Sequence, residues 1–302
     1  MSTAMTEIAV LPATAHTPAR RPPQRGYWRN VLKRFLRDRI GLVCLMVLLA
    51  IALAAIFAPL LAPADPYRTS MIRRLIAPGE KGYLLGTDEL GRDMLSRLLY
   101  GGRVSLSMGI APIVLSTMIG GGLGVIAGYF GRHINMMIMR VIDVFYAFPS
   151  VLLAVAMAGV LGSGILNSLI SLTLVFIPPI ARVAESVTTQ VRNQDFVEAA
   201  RATGAGSARI IIEHVLANVT GPILTYASSL VSVSIIISSG LSFLGLGASP
   251  PTADWGLMLN TLRQAVYVAP VNAVLPGVMI FLTSVSFNLV SDSLRTAMDV
   301  RA

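Results

Sequence analysis

Six apolar runs, each close to the length of a bilayer crossing, constrain this chain more than any other feature of its sequence. They lie at residues 40–61, 104–130, 136–161, 165–181, 219–246 and 271–290. A helix needs about 20 residues to cross the hydrocarbon core of a membrane, and the first run carries no charge at all. The chain therefore reads as a polytopic membrane protein with six transmembrane helices. Composition agrees: 13% of its residues are charged and 54% hydrophobic, against about a quarter charged in soluble domains. A formal charge of +9 would suit a nucleic-acid binder, but basic residues gathered at membrane flanks explain it more simply, and no nucleic-acid partner is expected. The single cysteine, Cys44, sits inside the first run, which leaves no disulfide and no cysteine metal site within one chain.

Charge also orients the spans. Arg29, Lys33, Arg34, Arg37 and Arg39 stand just before the first run, so residues 1–39 are expected as a cytoplasmic tail. Pro12, Pro18, Pro22 and Pro23 make that tail loosely held. Residues 40–61 form the first transmembrane helix, and 62–103 an external segment. With both termini inside, sixteen of the 24 Lys and Arg fall on the cytoplasmic side, as the positive-inside rule asks. Leu90, Met94, Leu95, Leu98 and Leu99 recur at helical spacing opposite Arg92, Asp93, Ser96 and Arg97. That pattern suits an amphipathic helix, either in the outer interface or packed on the protein's own core.

Within the spans, Gly120, Gly124 and Gly128 share one helix face and predict close helix packing. Arg140 and Asp143 stand three apart, a spacing that predicts a structural ion pair. Pro149 should bend that third span. Ser228, Ser232, Ser239 and Ser242 fall near one side of the fifth; hydroxyls there either join helices or line a translocation path. In the external segment 247–270, Trp255 reads as an interfacial belt anchor.

The polar stretch 195–218 interrupts the apolar pattern. Asp195 followed by Glu198 reads as a capping box opening a short helix. Ala199, Ala200 and Ala202 favour that helix, and Gly204 and Gly206 end it, since glycine accepts positive φ. Ser207 is placed to cap a second helix bearing Ile210, Ile211 and Ile212. The product is a helix–turn–helix elbow on the aqueous side.

Glu198-Ala199-Ala200, then Gly204, then His214-Val215-Leu216 resembles the coupling loop of binding-protein-dependent ABC importer permeases. Leu85-Gly86-Thr87-Asp88, Gly91-Arg92-Asp93, Ser96-Arg97 and Gly101-x-Arg103-x-Ser105-Leu106 resemble the C-type permease of the dipeptide, oligopeptide and nickel importers. The resemblance implies an all-α fold: a type-1 permease domain over residues 104–293 preceded by an extra helix, with a cytoplasmic tail at 294–302. It implies four kinds of partner: a second homologous permease subunit, two cytoplasmic ATPase domains, an extracytoplasmic substrate-binding protein and the lipid bilayer of the cytoplasmic membrane. It also assigns ATPase coupling to Glu198, Ala199, Ala200 and Gly204, with Ile211 and His214 beside them. The sequence departs from the family pattern at Ala217, where proline is usual, at Ser291 for glycine and at Val300 for proline.

A phosphate-cradling loop needs G-x-x-x-x-G-K-[ST], and the only lysines, Lys33 and Lys81, stand outside any such setting. ATP is thus expected on partner subunits, with no cofactor, metal or catalytic residue on this chain. His16, His133 and His214 are scattered, and there is neither H-E-x-x-H nor G-x-S-x-G. The expected function is passage of di- or oligopeptides in an ABC importer. Alternatives are passage of nickel or another small solute, a non-transporting structural component, or a secondary transporter, whose midplane acidic ligands the spans lack.

Overall fold

A computed structural model of the chain describes residues 27–298, and these are almost entirely helical. The helices are α1 (Tyr27–Phe35), α2 (Arg39–Ile56), the single turn α3 (Ala58–Leu61), α4 (Met94–Phe130), α5 (Arg132–Tyr146), α6 (Ser150–Leu161), α7 (Ile165–Arg192), α8 (Asp195–Ala202), α9 (Ser207–Arg209), α10 (Leu216–Phe243), α11 (Trp255–Leu262) and α12 (Pro270–Met298). A π-helical turn, Ile210–Val215, joins α9 to α10 without a break. Most of the predicted tail lies outside the described residues. Its last part is not loose, however: Val31 and Phe35 of α1 are buried against Ala297 near the end of α12.

Among the described residues, five helices are long and apolar enough to cross a membrane, and the third predicted span makes a sixth only as a bent pair. α5 and α6 meet at 86°, a sharper break than a proline kink. Pro149 holds φ −56 and ψ 125 just ahead of α6, and the residue before a proline is disfavoured in the helical region. Two other spans outrun their apolar runs. α7 continues through Pro178 and Pro179 to Arg192, because neighbouring helices hold a membrane helix together across a proline. α4 begins at Met94, so the predicted amphipathic helix is the first turns of a transmembrane helix.

The bundle is built on α4 against α7. A Cβ at Gly120 would stand 2.6 Å from the Ile177 carbonyl oxygen and one at Gly128 2.7 Å from that of Glu185; one at Gly124 would collide with the carbonyl of Ala181. The three glycines thus let two backbones touch over two successive turns, where dispersion between close-packed atoms replaces a hydrophobic force that lipid cannot supply. α10 packs into the same core through Val219, Ile223, Val231, Ile235 and Leu241. α2 stays peripheral: 17% of its apolar window is buried, against 56% for the span ending in α10. Two polar contacts hold its ends. Ser293 Oγ donates to Asp38 Oδ2 at 2.5 Å, and Arg103 donates to the C-terminal carbonyls of Ala55 and Ile56 at 2.7 and 2.6 Å.

Candidate functional site

The elbow is a hydrogen-bonded turn with one side committed to the protein's own core. α8 starts where expected, but Gln194 occupies the cap position and Asp195 is the first helical residue, so the capping box does not form. Asp195 and Glu198 instead lie in the first turn, where the helix dipole favours negative charge. At the other end, Gly204 N–H donates to Arg201 O at 2.9 Å and Ala205 N–H to Ala200 O at 3.2 Å. This is the Schellman pattern, and Gly204 takes φ +82 to make it. Gly206 does not share that role: its φ is −68, and it occupies the cap position before Ser207, which makes no side-chain cap.

Burial divides the elbow into two sides. Val197 and Val215 are fully buried and Ile210 nearly so, joined by Ala200 and Ile211 at the edge of the main core. Glu198, Ala199 and Gly204 are exposed, and His214 is half-buried. Ile211, placed beside the coupling residues by the sequence, is partly buried, and its neighbour Ile212 is the one that projects, at 65% exposure. The π turn rotates the face by wide-spaced backbone bonds, which helical periodicity cannot anticipate. Arg201 lies over the Tyr129 ring at 5.4 Å and ties the elbow to the end of α4. Asn218 Nδ2 donates to His214 O at 2.6 Å, so the join that lacks the usual proline at Ala217 is a continuous helix.

The external motif residues form a knot at the other end of α4. Asp88 Oδ1 accepts the amides of Leu90 and Arg92, both at 2.9 Å, while its Oδ2 takes Arg92 Nε at 2.6 Å. Arg97 lies 3.2 Å from the same oxygen and reaches the Pro66 carbonyl, also at 3.2 Å. Thr87 Oγ1 accepts from Ile76 N and donates to Arg73 O. Asp93 caps α4 through the amide of Ser96 at 2.7 Å. The polar side of the predicted amphipathic helix is therefore buried as deeply as its apolar side. Trp255 is not a belt anchor either: it is 1% exposed, with its Nε1–H donating to Leu98 O at 3.0 Å. An indole in a core needs such a partner.

The intramembrane polar residues are arranged differently from their sequence spacing. Asp143 pairs with Arg182 of α7, and Arg140 is exposed, so the expected Arg140–Asp143 pair is absent. A cross-helix cation of fixed position outcompetes a neighbour three residues away. Of the four serines, Ser228 bonds Ser291 Oγ at 2.8 Å, Ser232 donates to Ser229 O at 2.8 Å and Ser242 accepts from Ala248 N at 3.3 Å. Ser239 is 6% exposed. Of these contacts, that of Ser228 joins α10 to α12, that of Ser232 stays within α10 and that of Ser242 holds the turn after it.

Similarity to known proteins extends over nearly the whole sequence. Residues 120–302 match the binding-protein-dependent transport system inner membrane component, and residues 26–78 the N-terminal transmembrane domain of oligopeptide transport permease C. The dipeptide transport system permease protein DppC of Alkalihalophilus pseudofirmus is 37% identical, over 95% of this chain and 96% of its own. The glutathione transport system permease protein GsiD of Pectobacterium atrosepticum is 39% identical, over 97% and 95%. The di/tripeptide transport system permease protein DppC of Pseudomonas aeruginosa is 38% identical, over 92% of each. In fold, the chain resembles a chain of the inward-facing MetNI methionine ABC transporter, with a TM-score of 0.53 and 18% identity, over 67% of this chain and 97% of the other. The chain is a multi-pass permease that belongs to the family of binding-protein-dependent transport system inner membrane components.

Proposed function

We propose that this chain is one of two permease subunits of an ABC importer for short peptides, driven through its elbow by partner ATPases. The observation that carries this is the two-sided elbow: Val197, Ile210 and Val215 are locked in the bundle while Glu198, Ala199 and Gly204 face outward. A push on the exposed side is thereby passed to α7 and α10, between which the elbow is the direct link. Glu198, Ala199 and Gly204 form the docking side, with Ala200 and His214 at its partly buried edge and Ile212 rather than Ile211 as the apolar contact.

The substrate class follows from the relatives, whose names specify dipeptides, di/tripeptides and glutathione. All are small peptides with free charged ends. A second homologous permease and an extracytoplasmic binding protein complete the complex, and both termini of this chain face the cytoplasm.

Proteoliposomes holding this chain with its second permease, its ATPases and its binding protein test the assignment. ATP-dependent uptake of a labelled dipeptide is expected; uptake of Ni²⁺ but no peptide would replace the substrate class. Single-cysteine variants at Thr69 and Thr252 should label from outside and Asn193 only from inside, in a background lacking Cys44. The reverse pattern overturns the orientation.

A further inference from the structure

Asp143 and Arg182 are joined between α5 and α7, yet their side chains remain 44% and 48% exposed. Arg182 stands at the edge of the fourth apolar run, 165–181, ten residues before the end of α7, about 15 Å of helix. Ionisable groups inside spans are costly, and those that persist face a bundle interior or a wet cavity. Broken backbone at such positions obeys the same rule, and the α5–α6 break lies three residues beyond Asp143. The break opens onto a cavity of about 250 Å³ lined by Phe145, Tyr146, Phe148, Phe176, Pro179 and Leu230. Arg182 also lies over the Tyr146 ring at 5.4 Å. A second cavity, of about 500 Å³, follows along α7, α10 and α12, with Val183, Tyr226, Ser229, Asp292 and Arg295 in its wall. Charge, aromatic surface and space thus coincide on one face.

We propose that Asp143, Arg182 and the aromatic cavity beside them form a transit subsite for the charged ends of a short peptide. This rests on the peptide-permease reading above. When the site is empty, each charge neutralises the other. A zwitterionic peptide offers its ammonium to Asp143 and its carboxylate to Arg182, so the face keeps the same net charge with and without cargo. The guanidinium suits a carboxylate through paired N–H donors. Aromatic walls accept side chains of varied shape without hydrogen-bond selection. Because the pair can re-form as the peptide departs, the site favours release as much as entry, as a conduit requires.

The test uses the assembled complex of both permeases and the ATPases in nanodiscs, without binding protein. Four radiolabelled forms of Ala-Phe serve as probes: free, C-terminally amidated, N-acetylated and doubly blocked. The free dipeptide should bind at least about tenfold more tightly than the doubly blocked one, the scale of a charge-assisted hydrogen bond. Asp143→Asn should weaken the amidated form, which keeps only the ammonium, and spare the N-acetylated form. Arg182→Gln should do the opposite. A pair that merely ties α5 to α7 would shift all four probes alike or none, and either result overturns the subsite. If a variant fails to assemble, the unmodified complex still decides, since equal affinity for the free and doubly blocked forms overturns the proposal. Peptide uptake by the unmodified complex with its binding protein separates the two failures: no uptake sinks the permease assignment, whereas uptake with unselective binding sinks the subsite alone.

Discussion

The hydroxyl of Ser105 donates to the carboxylate of Asp254 at 2.7 Å, across 149 residues of chain. The same oxygen accepts the amide of Trp255 at 3.1 Å, and Asp254 Oδ2 caps α11 at the amide of Leu257, 3.0 Å away. One serine on α4 therefore fixes the start of α11 and the seat of Trp255. Ser105→Ala leaves a buried carboxylate oxygen without its donor, which costs about 1–3 kcal/mol. A lowered unfolding temperature of the purified chain in detergent is expected; an unchanged one would show that the contact contributes nothing.

Ser105 also shows what the sequence could and could not disclose. It stood in the external motif with Thr87, Asp88, Arg92 and Arg97, and the family was legible from those residues. Their partners were not. Asn272 donates to the carbonyls of Ile76 and Thr87, 196 and 185 residues away, and no local periodicity encodes such a pairing. The same blindness misassigned Asp143, whose cation stands 39 residues on rather than three back. Apolar runs located five spans as single helices and the third as a bent pair, because burial in lipid acts residue by residue. Helix ends at α4 and α7 escaped because polar turns were carried by tertiary contacts. The elbow was legible at Gly204, where one backbone angle demands one residue type, and illegible at Ile211, where a π turn shifts the face.

The glycine face of α4 yields a paired prediction. A side chain at Gly124 meets the backbone of Ala181, whereas Gly122 is exposed with nothing within 4 Å of an added Cβ. Backbone cannot retreat as a flexible side chain can, so Gly124→Val should destabilise by about 1–3 kcal/mol or more. Gly122→Ala should be neutral or mildly stabilising through helix propensity. Comparing their unfolding temperatures checks this, and equal effects would refute close α4–α7 packing.

Asp38 gives a pH dependence. The Ser293 hydroxyl, with help from the Ile40 and Gly41 amides, holds its carboxyl below the usual carboxylate value. A depressed folded pKa means that the stabilisation is fully present above the unfolded value, about 3.9, and fades as pH falls through the folded one. Hydrogen exchange at the Ile40 and Gly41 amides should therefore stay slow at neutral pH and accelerate only under strong acid. Ser293→Ala removes the main cause of the depression, so the acceleration should begin at higher pH. An onset that does not move would show that Ser293 does not hold Asp38.

The elbow offers the sharpest contrast, between two glycines two residues apart. Neither Gly204 nor Gly206 has an atom within 4 Å of an added Cβ, so crowding cannot distinguish them. Backbone can: Gly204 sits at φ +82 and Gly206 at −68. A β-branched residue at positive φ costs on the order of 1–3 kcal/mol, and the chain can escape that cost by unwinding the turn. Gly204→Val should therefore tilt α8 against its buried anchors, Val197 and Ile210, and misplace the exposed side. Glu198→Lys leaves the turn intact but puts a cation at the α8 N-terminus and on the docking side, where the dipole opposes it. Both variants should reach the membrane and pair with the second permease while retaining ATPases poorly, and peptide uptake should fall much more than membrane abundance. Gly206→Ala, in a conformation open to any residue, should retain both. ATPase co-purification and uptake, each normalised to membrane protein, read the difference. Wild-type uptake with Gly204→Val and Glu198→Lys combined would remove the elbow from the coupling route, and an equal loss in Gly206→Ala would mean that crowding by a partner, rather than backbone angle, sets the requirement for glycine.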